Sequence, residues 1–419
     1  MATYYVDPGN VNVTAWVADT VYAPGDYVRS TSLTADSAGY VFECTAVAGD
    51  EKSGASEPAW VLTTPDTSTT PDDQVTWTLR NPDSWDEALH GLQGAADRAV
   101  AGDTVYCKGT QTLTAAINFD TNGGTYDGGH IKFVGVKSAT VNMPPQATDY
   151  GETDYFELNG NGGAFHGIYI TNMDMLWFEN FKITNCGNST SYHGLTSTTS
   201  AVNHFVLNHC WFHDNAGAGV SGVYLRTHAI RCKATDNGAD GIYLSGILTG
   251  MIGCIATGNA GYGLRIYNSG TLVGCIAHNN TLGGFYLFFG GMCINCVCDD
   301  NASQSGITLA SSQSDSIGGN LVMGCRITNH DSDIGIEVSG NSRVLIMHTY
   351  LQNNATPITA SRYDILPITG ATAHVPTSGS DSDESGTPSA LLGGYVDSSA
   401  DDFNLRSTAT QRSEALVIP

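Results

Sequence analysis

Residues 232–244 read Cys-Lys-Ala-Thr-Asp-Asn-Gly-Ala-Asp-Gly-Ile-Tyr-Leu, and residues 254–266 read Cys-Ile-Ala-Thr-Gly-Asn-Ala-Gly-Tyr-Gly-Leu-Arg-Ile. The same phrase recurs from Cys210 to Cys325. Cys210, Cys232, Cys254, Cys275, Cys296 and Cys325 follow one another at 22, 22, 21, 21 and 29 residues. Five residues after each of the first five stands an asparagine: Asn215, Asn237, Asn259, Asn280 and Asn301. A glycine then opens a short apolar alternation, read at Gly222, Gly241, Gly263, Gly284, Gly306 and Gly335. A period of this length, holding two or three four-residue strands, marks a solenoid. No single repeat can bury its own apolar face, so each must stack on the next. The class is all-β, and the architecture a parallel β-helix.

Composition narrows the partners. Lys and Arg number 17 against 41 Asp and Glu, a net charge of −24 over 419 residues. Nucleic acid and anionic membranes both call for basic surface, so neither is expected as a partner. The acidic surface can take calcium, although a solvated acidic face accounts for the same residues; no cofactor is otherwise implied. The first residues, Met-Ala-Thr-Tyr-Tyr-Val-Asp, show no basic stretch followed by an apolar one, and no run is long enough to span a membrane. Synthesis in the cytosol is the expectation.

The 11 cysteines do not space like a secreted disulfide framework. Placed once per coil, they stack about 4.8 Å apart as small apolar groups in the interior. Cys293, Cys296 and Cys298 form the one tight group and read as packing too. No histidine shares the inward register, so no metal site is predicted.

Along the chain, residues 1–10 supply a first strand. Apolar residues at helical spacing from Trp85 to Val100 predict a helix within 81–103, with Asp83 or Ser84 as its cap and Gly102 past its end. Asp103-Thr-Val-Tyr-Cys then begins the solenoid, expected over 104–365 in about ten coils. This entrance, a strand, a short capping helix and a Gly-Asp-Thr-Val-Tyr segment, resembles that of the pectate-lyase-like right-handed β-helices. The resemblance implies a right-handed solenoid whose open end the helix covers. Within 366–419, Pro376–Pro388 is low-complexity and expected to be mobile. Asp402-Phe-Asn-Leu-Arg resembles the closing strand of bacterial and phage β-helix proteins.

Residues 11–80 interrupt the plan. Short stretches rich in Tyr and Trp, broken by Pro-Gly and Gly-Asp turns, predict a small inserted β domain. It resembles the chitin-binding type of carbohydrate-binding module, which also recurs in phage tail proteins. Trp16, Trp60 and Trp77 are its candidates for stacking on sugar rings, with service in the domain's own core as the other reading.

The asparagine series predicts a hydrogen-bonded ladder at one turn. In the strand after each glycine, apolar residues point inward and those between them outward. Outward columns then gather Tyr224, Tyr243, Arg265, Tyr286, Thr308 and Glu337 beside Arg226, Ser245, Tyr267 and Phe288. Tyr and Arg suit glycans, offering flat apolar surface and donors, so Tyr224, Arg226, Tyr243, Arg265, Tyr267 and Tyr286 are the candidate binding residues. Shielding a sheet face or a subunit contact is the plainer use of the same side chains.

Catalysis has weaker candidates. A glycosidase needs paired carboxylates, one held protonated. Asp214 and Asp236 stand at matching turn positions, and Asp299 and Asp300 share that column. Polygalacturonases of similar fold carry Asn-Thr-Asp, Asp-Asp, Gly-His-Gly and Arg-Ile-Lys motifs; only an isolated Asp-Asp is present here. Three functions remain in view. The first is a virion surface protein of a tailed phage, tail spike, fibre or capsid decoration, engaging host polysaccharide as a homotrimer with other virion proteins. The second is a secreted polysaccharide lyase or glycoside hydrolase, and the third a non-catalytic adhesin.

Overall fold

The computed structural model describes residues 1–32, 40–63, 66–85, 88–150, 154–171, 173–302, 305–311, 319–340, 343–360, 364–365 and 368–369. The low-complexity segment and the expected closing strand lie outside them. The chain divides into two units, Met1–Gly261 and Tyr262–Pro419.

In the first unit three runs of parallel strands form the walls. One run takes Thr3–Val6, Thr104–Cys107, Ile131–Gly135, Leu176–Glu179, Val206–Asn208, His228–Ile230 and Gly250–Ile252, each bonded to the next. A second takes Phe156–Asn159, Phe181–Thr184, Trp211–His213, Lys233–Thr235 and Ile255–Thr257. The third takes Ile117–Phe119, Ile168–Ile170, Leu195–Asn203, Val220–Leu225 and Ile242–Leu244. Most of these strands are only three or four residues long, and their middle or alternate side chains are buried. Near the start the interior is aromatic: Phe133 and Phe178 stack at 5.2 Å, with Phe119 edge-on to both. Further along, Ala229, Ala234 and Ala256 replace these rings, together with the buried Cys210, Cys232 and Cys254. Burying a ring as large as phenylalanine contributes about 1.5–3 kcal/mol.

Turns between the walls use left-handed backbone. One such residue precedes each cysteine (His209 at φ 56°, Arg231 at 51°, Gly253 at 62°), and another precedes each ladder asparagine (Asp214 at 53°, Asp236 at 56°, Gly258 at 69°). This conformation favours Gly, Asn and Asp, which explains the second set. The ladder follows at once. Asn215 donates Nδ2 to Asn237 Oδ1 at 2.9 Å, and Asn237 donates to Asn259 Oδ1 at 2.8 Å. All three are buried.

The register corrects one sequence alignment. Val220, Ser221 and Gly222 pair with Ile242, Tyr243 and Leu244. The glycine equivalent to Gly241 is therefore Gly219, not Gly222, and Tyr243 lies beside Ser221 rather than in line with Tyr224. Close approach demands the glycine: a Cβ on Gly219 would stand 2.6 Å from the Gly241 carbonyl oxygen and 2.8 Å from Phe212 Cβ. One coil earlier, a Cβ on Gly194 would meet the Gly219 oxygen at 2.7 Å.

The helix is shorter than expected. It spans Leu92–Arg98, with Gly91 at its N-cap and no side-chain cap, so neither Asp83 nor Ser84 serves. The stretch before it leans on the first wall instead of continuing the helix. Leu89 bridges Val6 in parallel, and Trp85 packs edge-on against Tyr5 at 4.6 Å.

Residues 13–79 carry a separate five-stranded sheet, ordered Val13–Ala15, Tyr27–Arg29, Val41–Val47, Val75–Leu79, Thr69–Asp72. Its core is Trp16, Tyr22, Val28, Phe42, Cys44, Trp60, Val75, Trp77 and Leu79. Arg98 of the helix lies 3.9 Å over the Tyr40 ring and donates to the Arg80 carbonyl at 3.2 Å, joining this module to the coils.

The second unit repeats the three walls. Thr271–Val273, Met292–Ile294, Gly319–Met323 and Arg343–Met347 pair in parallel, as do Ile276–His278, Val297–Asp299 and the start of Arg326–Gly340. Tyr262–Tyr267, Gly283–Phe288, Ser305–Ser311 and the end of Arg326–Gly340 complete it. Asn280 donates to Asn301 Oδ1 at 2.8 Å. In the following coil the ladder position passes to a buried histidine, His330, whose Nδ1 is 2.9 Å from Asn354 Oδ1.

Candidate functional site

The strands Tyr262–Tyr267 and Gly283–Phe288 pair in register, so Arg265 lies beside Tyr286 and Tyr267 beside Phe288. Leu264, Ile266, Phe285 and Leu287 fill the interior, which turns these four outward. Tyr267 and Phe288 stack at 4.1 Å with planes 16° apart. Tyr286 lies nearly parallel to Phe288, at 6.3 Å and 9°. The Arg265 guanidinium sits 5.0 Å from the Tyr286 ring centre. Phe289 meets Phe288 edge-on at 4.1 Å, and Tyr262 tilts against Tyr286 at 4.9 Å. Arg265, Tyr267, Tyr286 and Phe289 are half-buried, whereas Phe288 and Tyr262 are mostly covered. The result is a strip of aromatic rings carrying one guanidinium.

The polar end of the strip follows the same column. Thr308 pairs with Tyr286 in register, and Glu337 with Thr308. Glu337 Oε2 accepts from Ser305 Oγ at 2.8 Å. Burial raises the Tyr262 phenol above its ordinary range, with the Tyr286 ring adding to the effect. Tyr262 thus enters as a neutral group. Tyr262 and Phe289 escaped the sequence reading, because one precedes the glycine that opens the alternation and the other follows the strand, at a left-handed turn (φ 60°).

The remaining binding candidates belong to the first unit. Tyr243 is half-buried beside Ser221 in the first unit, and the Tyr224 side chain lies outside what is described. Arg226 is exposed at a turn, turned toward Tyr126 and His204. Trp16, Trp60 and Trp77 are buried in their module, Trp77 completely. The Trp16 and Trp77 indoles both donate to Asp72 Oδ2, at 2.8 and 3.0 Å, and the Trp60 indole donates to Glu57 at 2.7 Å. Their faces are spent on packing: Trp60 stacks on Phe42 at 4.0 Å. Core service is what the three do here.

Three of the four aspartates serve the turns, whereas Asp299 ends the strand Val297–Asp299 and does not share their turn position. Asp214 and Asp236 hold the left-handed position in the first unit, as Asp300 (φ 49°) does in the second. Asp214 Oδ2 lies 2.7 Å from His213 Nδ1. For Asp299, burial opposes ionisation, but hydrogen bonds from Thr328 and Asn329, with His278 and Arg326 nearby, hold its carboxyl below the usual range. A glycosidase acid needs the opposite shift. Among the described residues no three His, Cys, Asp or Glu side chains are placed to hold a metal ion. All 11 cysteines are free and buried. Burial pushes Cys186 up to about 12 and keeps Cys107 and Cys232 well above the ordinary thiol range, so these thiols are protonated packing groups.

Residues 154–315 match the family model described as "Right handed beta helix region". The solenoid is a right-handed β-helix. No curated protein matches the chain. Among solved structures, the β-helix is similar to pectate lyase Pel9A at 16% identity and a TM-score of 0.42, covering 78% of this chain and 86% of that one. It is similar to the A-module of Azotobacter vinelandii mannuronan C-5 epimerase AlgE4 at 15% identity and a TM-score of 0.44, covering 65% and 81%. The enzymatically active domain of bacteriophage CBA120 tailspike protein 2 gives 11% identity and a TM-score of 0.47, covering 82% of this chain and 54% of that one. No activity passes to this β-helix from likenesses of this size. Among the described residues no helix is long and apolar enough to cross a membrane.

Proposed function

We propose that this β-helix engages polysaccharide through the strip formed by Arg265, Tyr267, Tyr286, Phe288 and Phe289, as a surface protein of a tailed-phage virion. The observation that carries the reading is the 4.1 Å stack of Tyr267 on Phe288, with Arg265 over Tyr286 beside it. Such a surface offers flat aromatic rings for the apolar faces of sugars and donors for their hydroxyls. The coil spacing of about 4.8 Å lets one glycan chain lie across several coils. Eleven free, buried thiols support synthesis in a reducing cytoplasm before particles form. Homotrimer formation, association with other virion proteins and a tail or capsid location belong to the same proposal.

The test is binding of the full chain to an array of bacterial surface polysaccharides, with Arg265→Ala and Tyr267→Ala as variants. Loss of binding by about tenfold in each, at an unchanged melting temperature, is expected for donors and ring faces removed from a sugar. Parent-like binding by both variants overturns the reading. Sedimentation of the same variants shows whether the strip is instead a subunit contact, in which case trimers dissociate. Unsaturated or reducing-end products in the binding mixtures would mark the secreted-enzyme alternative.

A further inference from the structure

Three side chains from separate coils of the first unit converge outside the aromatic strip. Arg226 Nη1 donates to Tyr126 Oη at 2.9 Å and lies 3.4 Å from His204 Nε2. Tyr126 Oη is 3.1 Å from His204 Nδ1, their rings edge-on at 4.9 Å. The guanidinium donates to the phenol oxygen, and the His204 ring lies against both groups. The phenol keeps its own O–H as a donor.

The surroundings hold this arrangement in place. Tyr126 stands, 69% exposed, on a tight hairpin closed by paired Thr125 and Gly129 backbone bonds of 3.1 and 2.7 Å. His130 Nε2–H donates to the His204 carbonyl at 3.0 Å. His204 and Arg226 both sit at φ 54°, in a turn column that also holds Met175 at 56° and Leu248 at 58°. The column is a regular turn of the coils, and it sets His204 and Arg226 at equivalent positions of successive coils. In a chain of net charge −24, Arg226 has no carboxylate partner among the described residues.

We infer that Tyr126, His204 and Arg226 form a receptor for a sugar carboxylate, the guanidinium facing the anion and the outward Tyr126 hydroxyl bonding the sugar. The inference rests on the glycan-engaging reading for the class of ligand, and its geometry is independent of the aromatic strip. Arginine supplies the planar fork that matches a carboxylate, and His204 and His130 act as positioning residues.

The experiment is saturation-transfer NMR on the full chain with sodium glucuronate and with glucose, followed by displacement with sodium sulfate. Glucuronate should show transfer and glucose none. Arg226→Gln should weaken glucuronate about tenfold, as loss of a charged hydrogen bond requires. Tyr126→Phe, which removes one oxygen from an exposed ring, should weaken it by a smaller factor at an unchanged melting temperature. Equal binding of glucose, displacement by sulfate at equal concentration, or undiminished binding by Arg226→Gln overturns the inference. In the last case the aromatic-strip reading can still stand on its own array result. If no polysaccharide binds the chain while glucuronate still requires Arg226, that reading falls and this site remains.

Discussion

Asn237 Oδ1 accepts both the side-chain and the backbone N–H of Asn215, at 2.9 and 3.2 Å, from the coil before it. Asn237 Nδ2 in turn reaches Asn259 Oδ1 at 2.8 Å and the Phe212 carbonyl at 3.1 Å. One buried amide thus satisfies polar groups of the coils on either side of it.

Asn237→Leu should therefore be strongly destabilising, at about 1–3 kcal/mol for each buried group left unpaired. Asn329→Gly is the comparison: Asn329 is exposed, and glycine tolerates its φ of 62°. Thermal melts of the two variants decide the point. Equal melting temperatures would mean that the amide column carries no stability.

Gly219→Ala should cost about 1–3 kcal/mol, because its Cβ would press on the Gly241 oxygen and Phe212 Cβ and the wall cannot part. Gly9→Ala, where the nearest atom is Asp7 Oδ1 at 3.5 Å, should be near neutral. Chemical denaturation checks both. A neutral Gly219→Ala would remove close coil approach as the reason for glycine there.

Stability should fall as pH drops from about 6.5 to about 4. The His193 backbone N–H donates to His166 Nδ1 at 3.0 Å, and the Ala218 N–H donates to His193 Nδ1 at 2.9 Å. Both imidazoles are thereby held neutral. Burial first, then the neighbouring His166, pushes His193 down to about 4, and burial lowers His166 as well. Histidine in the unfolded chain titrates near 6.5, so within this window the unfolded state binds protons that the folded state refuses. The contribution is fully present above 6.5 and gone below about 4. His193→Asn, which keeps an acceptor for Ala218, should flatten the decline of melting temperature with pH. An unchanged slope would assign the decline to other groups.

Trp77→Ala should unfold the module of residues 13–79 at a cost of about 3–5 kcal/mol, since Trp77 is completely buried at the centre of its core. Excising residues 11–80 across a short Gly-Ser bridge should leave the cooperative melt of the coils in place, because Thr3–Val6 finds its partner in Thr104–Cys107. Calorimetry of both variants tests this. A deletion without any cooperative transition would make the module part of the coils' own fold.

The repeat itself determined the walls. Cys210, Cys232 and Cys254 return at nearly constant spacing because each coil must bring a small apolar group to the same interior point, and period alone reveals that. The asparagine ladder was legible for the same reason, since a buried amide at a fixed turn needs an identical neighbour above and below. The Tyr267–Phe288 and Arg265–Tyr286 neighbours followed from counting along two equal strands. Gly219 was misplaced where two glycines compete within four residues, although the four-residue step that runs from Asn237 to Gly241, Asn259 to Gly263 and Asn280 to Gly284 singles it out after Asn215. His330 hid in its ladder position because its ring replaces an amide. Tertiary structure alone decided the rest. It buried Trp16, Trp60 and Trp77 in one small core, where a tryptophan looks no different in sequence from one on a binding surface. It also brought Tyr126 to Arg226 across 100 residues. Period fixes what repeats along the stack, whereas contacts between a hairpin and a turn several coils away have no period to betray them.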